Sequence, residues 1–137
     1  MPDLGIFDDQ TILNYPAFSF SRGCPFKCTY CCAPLYGQRE TGATAVRYKS
    51  PERAIAEIQD MLSKYNTEVL AFDDDTFFKS KVFVREFTQL YQKEIQRPFA
   101  CNTRPETINE DLIKMLKEAN CVLIAIGIES GDEELRT

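Results

Sequence analysis

The feature that most constrains the fold is a fourfold alternation of strand-like and helix-like segments. Apolar alternation or short apolar runs predict strands at residues 17–21, 68–72, 99–103 and 121–128. Helical spacing and N-cap signals predict helices at 51–65, 82–95 and 107–119, and a fourth from residue 130 onward. Alternation of this kind favours right-handed βαβ units on a parallel sheet. The sequence therefore predicts an α/β fold.

Residue parity along two strands predicts which face of the sheet the helices cover. In strand 99–103, Phe99, Cys101 and Thr103 oppose Ala100, Asn102 and Arg104. In strand 121–128, the bulky set is Val122, Ile124, Ile126 and Ile128, and the small or polar set includes Ala125, Gly127 and Glu129. We expect helices over the bulky face and polar groups on the other, near the carboxyl ends of the strands. This arrangement is typical of the ligand-holding side of a (β/α) barrel.

Chain length limits how much of such a barrel is present. The chain has 137 residues, whereas complete barrels begin at roughly 200 residues. We predict that residues 1–16 are an extended lead-in or linker and that 17–137 are the N-terminal part of a barrel, about the first four β/α units. The chain is then a half-barrel fragment with unpaired strand edges, and we expect it to self-associate.

Composition excludes several classes of function. The formal net charge is −5 and the chain contains no histidine, so we expect neither nucleic-acid nor anionic-membrane binding through this segment, and no imidazole chemistry. The first residues have neither a basic region nor an apolar run, which indicates no signal peptide and a cytoplasmic location. The six cysteines in a reducing compartment favour metal or redox-cluster chemistry over disulfides.

Three cysteines form the strongest chemical signal. Cys24, Cys28 and Cys31 follow the first predicted strand in a C-x3-C-x2-C pattern. Thiolates are the usual ligands of iron-sulfur clusters, and three of them leave one iron of a cubic cluster open to bind a substrate. The alternative is a non-catalytic module, either a zinc site with Cys32 as a fourth ligand or an electron-transfer cluster in the cysteine loop. Structural zinc sites usually have two separated pairs of ligands, which adjacent Cys31 and Cys32 do not supply.

Four segments carry a resemblance to a known family. They are Ser21 to Cys31 (SRGCPFKCTYC), Phe72 to Phe77 (FDDDTF), Asn102 to Glu106 (NTRPE) and Gly127 to Gly131 (GIESG). Together they resemble the radical S-adenosylmethionine (SAM) enzymes, particularly the branch that carries a cobalamin-binding domain before the catalytic barrel. The resemblance covers about residues 16–137. It implies a full or partial (β/α) barrel.

The resemblance also implies a reaction. In this family a reduced [4Fe-4S] cluster splits SAM into methionine and a 5′-deoxyadenosyl radical, which abstracts hydrogen from a substrate. It implies Cys24, Cys28 and Cys31 as cluster ligands and an open iron that chelates the methionine amino and carboxylate groups. An electron donor such as flavodoxin or ferredoxin is implied as a partner. Any cobalamin would bind through a domain absent from this chain.

Seven residues are implied as SAM contacts. Tyr30 would meet the adenine, Asp74 or Asp75 would accept hydrogen bonds from the methionine ammonium, and Arg104 would pair with a carboxylate. Glu129 or Ser130 would bind the ribose hydroxyls, and Asn102 would lie at the same mouth.

Simpler interpretations accompany several of these residues. The Asp73–Asp75 run also fits a solvated turn or a magnesium site. Arg104 is able to pair with Glu106 alone. Cys101 and Cys121 lie within apolar strands, where free cysteine packs as a small hydrophobe.

Overall fold

A computed structural model describes residues 8–10, 16–33, 46–75 and 77–136. The elements, in chain order, are β1 (Ala17–Phe18), β2 (Ser21–Arg22), β3 (Arg47–Tyr48), α1 (Pro51–Lys64), β4 (Leu70–Phe72), α2 (Lys81–Glu94), β5 (Phe99–Thr103), α3 (Glu110–Glu118), β6 (Cys121–Ile126) and α4 (Glu133–Arg136). Short 3-10 turns at Phe77–Lys79 and Pro105–Thr107 follow β4 and β5. Most of the lead-in predicted at 1–16, and the middle of the predicted loop at 34–45, lie outside the described residues.

The principal sheet has four strands in the order β1-β4-β5-β6, and every neighbouring pair is parallel. The predicted α/β fold with a parallel sheet is therefore confirmed. Parallel neighbours require a crossover connection, and α2 and α3 supply it between β4, β5 and β6. None of the helices in the described ranges is long and apolar enough to cross a bilayer.

The first predicted strand is divided in the structure. β1 ends at Phe18, and Ser21–Arg22 instead pairs antiparallel with Arg47–Tyr48 in a separate two-stranded sheet. The prediction of one strand over residues 17–21 was therefore wrong, as was the assignment of residues 47 and 48 to a loop. The chain changes direction at Ser19 and Phe20 because Phe20 enters the core, where it is 1% exposed.

The core lies between the sheet and its helices and is rich in aromatic rings. Phe72 stacks on Phe99 with ring centroids 4.5 Å apart, and its edge meets Phe87 and Tyr91 at 5.5 and 5.7 Å. Such pairs each contribute about 0.5 to 1.5 kcal/mol beyond the burial of their surface. This cluster fixes the helix-facing side of β4 and β5, and so fixes which side chains remain on the opposite face.

Parity is confirmed on β5 and fails on part of β6. Phe99 and Cys101 are buried against the helices, and Ala100 and Asn102 lie on the other face. On β6 the pairing moves from Phe99↔Cys121 to Ala100↔Leu123, so Val122 is an extra residue in a bulge. It is 59% exposed instead of facing the helices as predicted.

The prediction of helix-facing side chains was also wrong for the end of the predicted strand at 121–128, of which β6 forms Cys121–Ile126. Ile126 and Ile128 are 42% and 66% exposed, because in the described residues only the four-residue α4 follows this strand. Ile124 behaves as predicted and packs against the core.

Helix N-termini match the sequence signals at α1 and differ at two others. Ser50 Oγ accepts the Arg53 N–H ahead of Pro51, as the sequence predicts. For α3 the cap is Asn109, which accepts the Leu112 N–H, whereas Thr107 bonds to Thr103. For α4 the Asp132 side chain accepts the Glu134 N–H, so this helix begins after residue 130, where the sequence predicts its start.

Candidate functional site

The candidate site lies at the carboxyl edge of the parallel sheet. The Asp73–Asp75 run follows β4, Arg104 follows β5, and Glu129 comes after β6. The cysteine loop follows β2. Because the strands are parallel, their carboxyl ends meet at one edge, where ligand sites of α/β folds form.

The cysteine loop presents three free thiols. Cys24 and Cys28 are half-buried and Cys31 is exposed. A turn holds the loop, in which the Cys31 N–H donates to the Cys28 carbonyl at 3.2 Å. Burial raises the pKa of the Cys24 thiol, and the charges of Asp75, Cys28 and Cys31 act in the same direction. The three sulfur atoms and Asp75 are therefore electrostatic neighbours.

Arg104 joins the end of β5 to this loop. Its Nη1 donates to Cys28 Sγ at 3.1 Å, across 76 positions of sequence. Its Nε and Nη2 donate to the two carboxylate oxygens of Glu106 at 3.2 and 3.0 Å. The guanidinium carbon lies 4.4 Å from the centre of the Phe26 ring. The predicted pair with Glu106 is present, and the sulfur contact is an addition to it.

Tyr30 lies within electrostatic range of Glu129, whose negative charge acts on the Tyr30 hydroxyl. Tyr30 is 63% exposed. Desolvation raises the pKa of Tyr30, and its contact with Cys28 and the negative charge of Glu129 add to this effect, whereas Arg104 opposes it. The structure thus brings together four sequence-predicted residues: Cys28, Tyr30, Arg104 and Glu129.

Glu129 has an uncommon backbone conformation. Its φ is 66°, in the left-handed region that residues other than glycine rarely adopt. A Cβ at Gly127 would stand 2.5 Å from Glu129 Oε1. The carboxylate therefore occupies the space that the missing side chain of Gly127 leaves open.

Asp74 and Asp75 have different environments. Asp74 is 2% exposed, and its Oδ1 accepts hydrogen bonds from the Phe20 N–H and from the N–H and hydroxyl of Ser21. Burial raises the pKa of Asp74, although these hydrogen bonds and the charge of Arg22 oppose the rise. Its Oδ2 has no hydrogen-bond partner among the described residues. Asp75 is exposed beside Cys24. The solvated-turn interpretation therefore does not hold for Asp74.

Asn102 and Ser130 complete the predicted set. Asn102 Nδ2 donates to Asp73 Oδ1 at 3.2 Å, which connects β5 to the end of β4. Its buried Oδ1 has no partner within the described ranges. Ser130 is engaged in its own turn, where its N–H donates to the Ile128 carbonyl and its Oγ accepts the Asp132 N–H. No described contact connects Ser130 to the cysteine loop.

Cys101 and Cys121 lie on the helix-facing side of the sheet and not in the site. Their sulfur atoms are 3.8 Å apart, and Cys101 is 4% exposed. The interpretation of Cys101 as a core residue is confirmed, and half-buried Cys121 packs against the same core.

The thiols of the cysteine loop are the donors that would hold the iron-sulfur cluster implied by the resemblance. The described residues contain no His, Cys, Asp or Glu group already converged as a metal site. Three thiols within eight positions nevertheless have the right chemistry, and none is used in a disulfide. The residues present therefore fit such a group.

Two residues of the site were missed by the sequence analysis. Phe26 supports Arg104, and Lys79 Nζ lies 5.6 Å from the centre of the same ring. The one sequence signal for Phe26 was its position as an aromatic residue between Cys24 and Cys28. Nothing in its local spacing indicates a cationic partner from β5 or from the turn after β4.

Comparison with known proteins identifies the family. The Radical SAM superfamily model matches residues 18–137. The chain belongs to the radical SAM superfamily of enzymes, as the four sequence segments indicated.

Curated relatives of this chain include proteins named as methyltransferases and methylases. The chain is 32% identical over 117 residues to an uncharacterized methyltransferase of Pyrococcus horikoshii, covering 84% of this chain and 24% of that protein. It is 29% identical over 147 residues to the hopanoid C-2 methylase of Rhodopseudomonas palustris, covering 90% and 26%. The chain thus spans about a quarter of the length of these relatives.

A solved structure supports the fold. The radical SAM methyltransferase TsrM from Kitasatospora setae, with tryptophan substrate and a SAM analogue bound, matches with a TM-score of 0.71. The match covers 86% of this chain and 22% of TsrM at 13% identity. This similarity concerns the fold.

Proposed function

We propose that this chain carries the cluster-binding and SAM-binding part of a radical SAM methyltransferase. Cys24, Cys28 and Cys31 would hold a [4Fe-4S] cluster whose fourth iron is open to SAM. The observation that carries the proposal is the Arg104–Cys28 contact of 3.1 Å, which holds the cysteine loop against the carboxyl edge of the sheet. We further propose that the four-stranded sheet is the first part of a (β/α) barrel.

The chemistry divides between cofactor and protein. When bound by Cys24, Cys28 and Cys31, a reduced cluster would supply the electron for reductive cleavage of SAM and so the radical chemistry of the family. The protein binds and orients. Exposed Asp75 is placed to accept hydrogen bonds from the methionine ammonium, whereas Asp74 Oδ1 is already engaged by Phe20 and Ser21.

The remaining contacts follow from position. Exposed Tyr30 would meet the adenine with its ring, and Glu129, whose charge acts on Tyr30, would accept hydrogen bonds from the ribose hydroxyls. Asn102 Oδ1 supplies an acceptor that no described residue uses. These groups come from the loop and from the ends of two strands, and we propose that they converge on SAM, since a zwitterionic ligand with a ribose requires several polar partners.

Methyl transfer as the outcome rests on the relatives, which include an uncharacterized methyltransferase and hopanoid methylases. We propose an electron donor such as flavodoxin or ferredoxin as partner. We propose that any cobalamin binds through a domain outside this chain, as the resemblance to the cobalamin-associated branch of the family implies.

Anaerobic reconstitution with iron and sulfide tests the proposal. Wild-type protein should bind about four irons per chain with the absorption of a [4Fe-4S] cluster. Cys28→Ala should lose the cluster, and Cys101→Ala should keep it because Cys101 lies in the core. Reduced wild-type protein mixed with SAM should release methionine and 5′-deoxyadenosine.

Three outcomes would contradict the proposal. Equal loss of iron in Cys28→Ala and Cys101→Ala would contradict the ligand assignment. Binding of one zinc without iron, or a stable cluster that leaves SAM intact, would favour the non-catalytic zinc or electron-transfer module.

A further inference from the structure

Arg104 is held on three sides in an arrangement that directs one N–H at a sulfur atom. Glu106 accepts from Nε and Nη2 at 3.2 and 3.0 Å, which is a two-point carboxylate pair. Phe26 lies under the guanidinium plane at 4.4 Å. On the third side, the Nη1 group of Arg104 donates a hydrogen bond to Cys28 Sγ at 3.1 Å. Arg104 is 33% exposed in its side chain, so solvent only partly screens it.

We propose that Arg104 sets the reduction potential of the cluster through its hydrogen bond to Cys28, an inference that rests on the proposed function. Hydrogen bonds to the sulfur ligands and local charge are among the factors that determine iron-sulfur potentials. A reduced cluster carries one more electron, so negative charge on its thiolate ligands increases. A positively charged N–H donor stabilises that state more than the oxidised one and raises the potential.

The geometry distinguishes this role from the carboxylate-binding role that the sequence suggested for Arg104. The edge of the guanidinium best suited to a two-point carboxylate pair is already taken by Glu106. The edge that faces the cysteine loop is in contact with sulfur. Arg104 is therefore a positioning and tuning residue, which acts on the cluster through Cys28.

Glu106 should also affect the reduction potential, through its pair with Arg104. Its carboxylate lies against two guanidinium nitrogens and offsets part of the positive charge that Cys28 experiences. Arg104 and Glu106 should therefore have opposite effects. Removing the cation lowers the potential, and neutralising Glu106 raises it.

The test is a one-electron redox titration of reconstituted protein without SAM, followed by absorbance and by the paramagnetic signal of the reduced cluster. Arg104→Met should lower the equilibrium constant for reduction about tenfold, which is about 59 mV for one electron. Glu106→Gln should shift the potential upward. Arg97→Met removes the same charge before β5, where the side chain bonds to Asn66, and should leave the potential unchanged.

Lys79→Met is the second control. It removes a cation that also lies over Phe26 but has no described bond to sulfur. If Lys79→Met lowers the potential as much as Arg104→Met, the effect is through-space charge and the hydrogen-bond proposal is overturned.

The remaining outcomes also decide the matter. An Arg104→Met protein with full iron content and an unchanged reduction potential overturns the inference. If that protein also loses much of its SAM affinity, Arg104 instead pairs with the carboxylate of SAM. If Arg104→Met cannot retain iron, Glu106→Gln decides, because an unchanged or lowered potential there also overturns it. A wild-type protein that forms no [4Fe-4S] cluster contradicts the proposed function itself.

Discussion

Asp74 Oδ1 accepts hydrogen bonds from both the backbone N–H and the hydroxyl of Ser21, 53 positions earlier in the chain. A third bond comes from the Phe20 N–H at 2.9 Å. These bonds join the end of β4 to the point where the chain leaves β1 and enters the cysteine loop. Asp74 therefore anchors the start of the cysteine loop to the end of β4.

Asp74→Ala should destabilise the protein on the order of 3 kcal/mol, because it leaves three buried donors without an acceptor. Asp74→Asn should cost less, since the amide oxygen can replace Oδ1. Urea unfolding measures both, and exposed Asp75→Ala is the matched control, expected to change stability by less than about 0.5 kcal/mol. Similar losses for Asp74→Ala and Asp75→Ala would show that the three bonds contribute little.

Glu57 gives the fold a dependence on acid pH. Its carboxylate accepts hydrogen bonds from Lys49 at 2.6 Å and from Arg53 at 3.0 Å, connecting the residue after β3 to α1. Burial opposes ionisation, but the two cations outweigh it and hold the pKa of Glu57 below its ordinary value of 4.5. A lowered folded-state pKa contributes stability above the unfolded-state pKa, and that contribution disappears as the pH falls through the folded value.

Glu57→Gln should therefore cost about 1 kcal/mol at neutral pH, since both cations are partly exposed. The difference from wild type should shrink as the pH falls below about 4.5. Urea unfolding of both proteins at several pH values measures it. Comparing the two cancels the opposite contribution of Asp74, whose pKa is raised. A difference that is constant with pH would mean that charge is not involved.

The sequence predicted the features that depend on local periodicity. Alternation gave the parallel sheet and the burial of Phe99 and Cys101, and the Ser50-Pro51 pair gave the start of α1. These features depend on neighbours within about one turn or two strand positions, so a single sequence contains them.

The features that escaped prediction depend on pairing between distant segments. The bulge at Val122 is a property of the β5-β6 register and not of either strand alone. The break after Phe18 follows from burial of Phe20 and from the pairing of Ser21 with Tyr48. The Arg104–Cys28 contact needs the sheet to bring residues 76 positions apart together. The motifs predicted which residues lie near the cysteine loop, but not the contacts between them.

Gly127 should act on SAM binding through Glu129. Glu129→Ala should weaken SAM binding by cluster-loaded protein by about 1 to 3 kcal/mol. Gly127→Ala should do nearly the same with little loss of fold stability, because its Cβ would displace the flexible carboxylate that lies 2.5 Å from that position. Calorimetry measures both.

The double variant of Gly127 and Glu129 provides the control. If Gly127 acts through the carboxylate, the double variant should bind SAM no more weakly than Glu129→Ala. Additive losses would show that Gly127 has a separate role, and unchanged affinity in Glu129→Ala would remove Glu129 from the ribose site.

The β6 edge should make the isolated chain self-associate. Val122 and Leu123 are 59% and 56% exposed on a strand that has a described partner on only one side. An exposed apolar edge strand recruits a further strand, and charge on the edge prevents it. Leu123→Lys should therefore reduce association, measured by light scattering across a wide concentration range. Val82→Lys, at a 68% exposed position on α2, introduces the same charge away from the edge and should have no effect. A wild-type chain that stays monomeric throughout, or equal effects of the two lysines, would contradict association through β6.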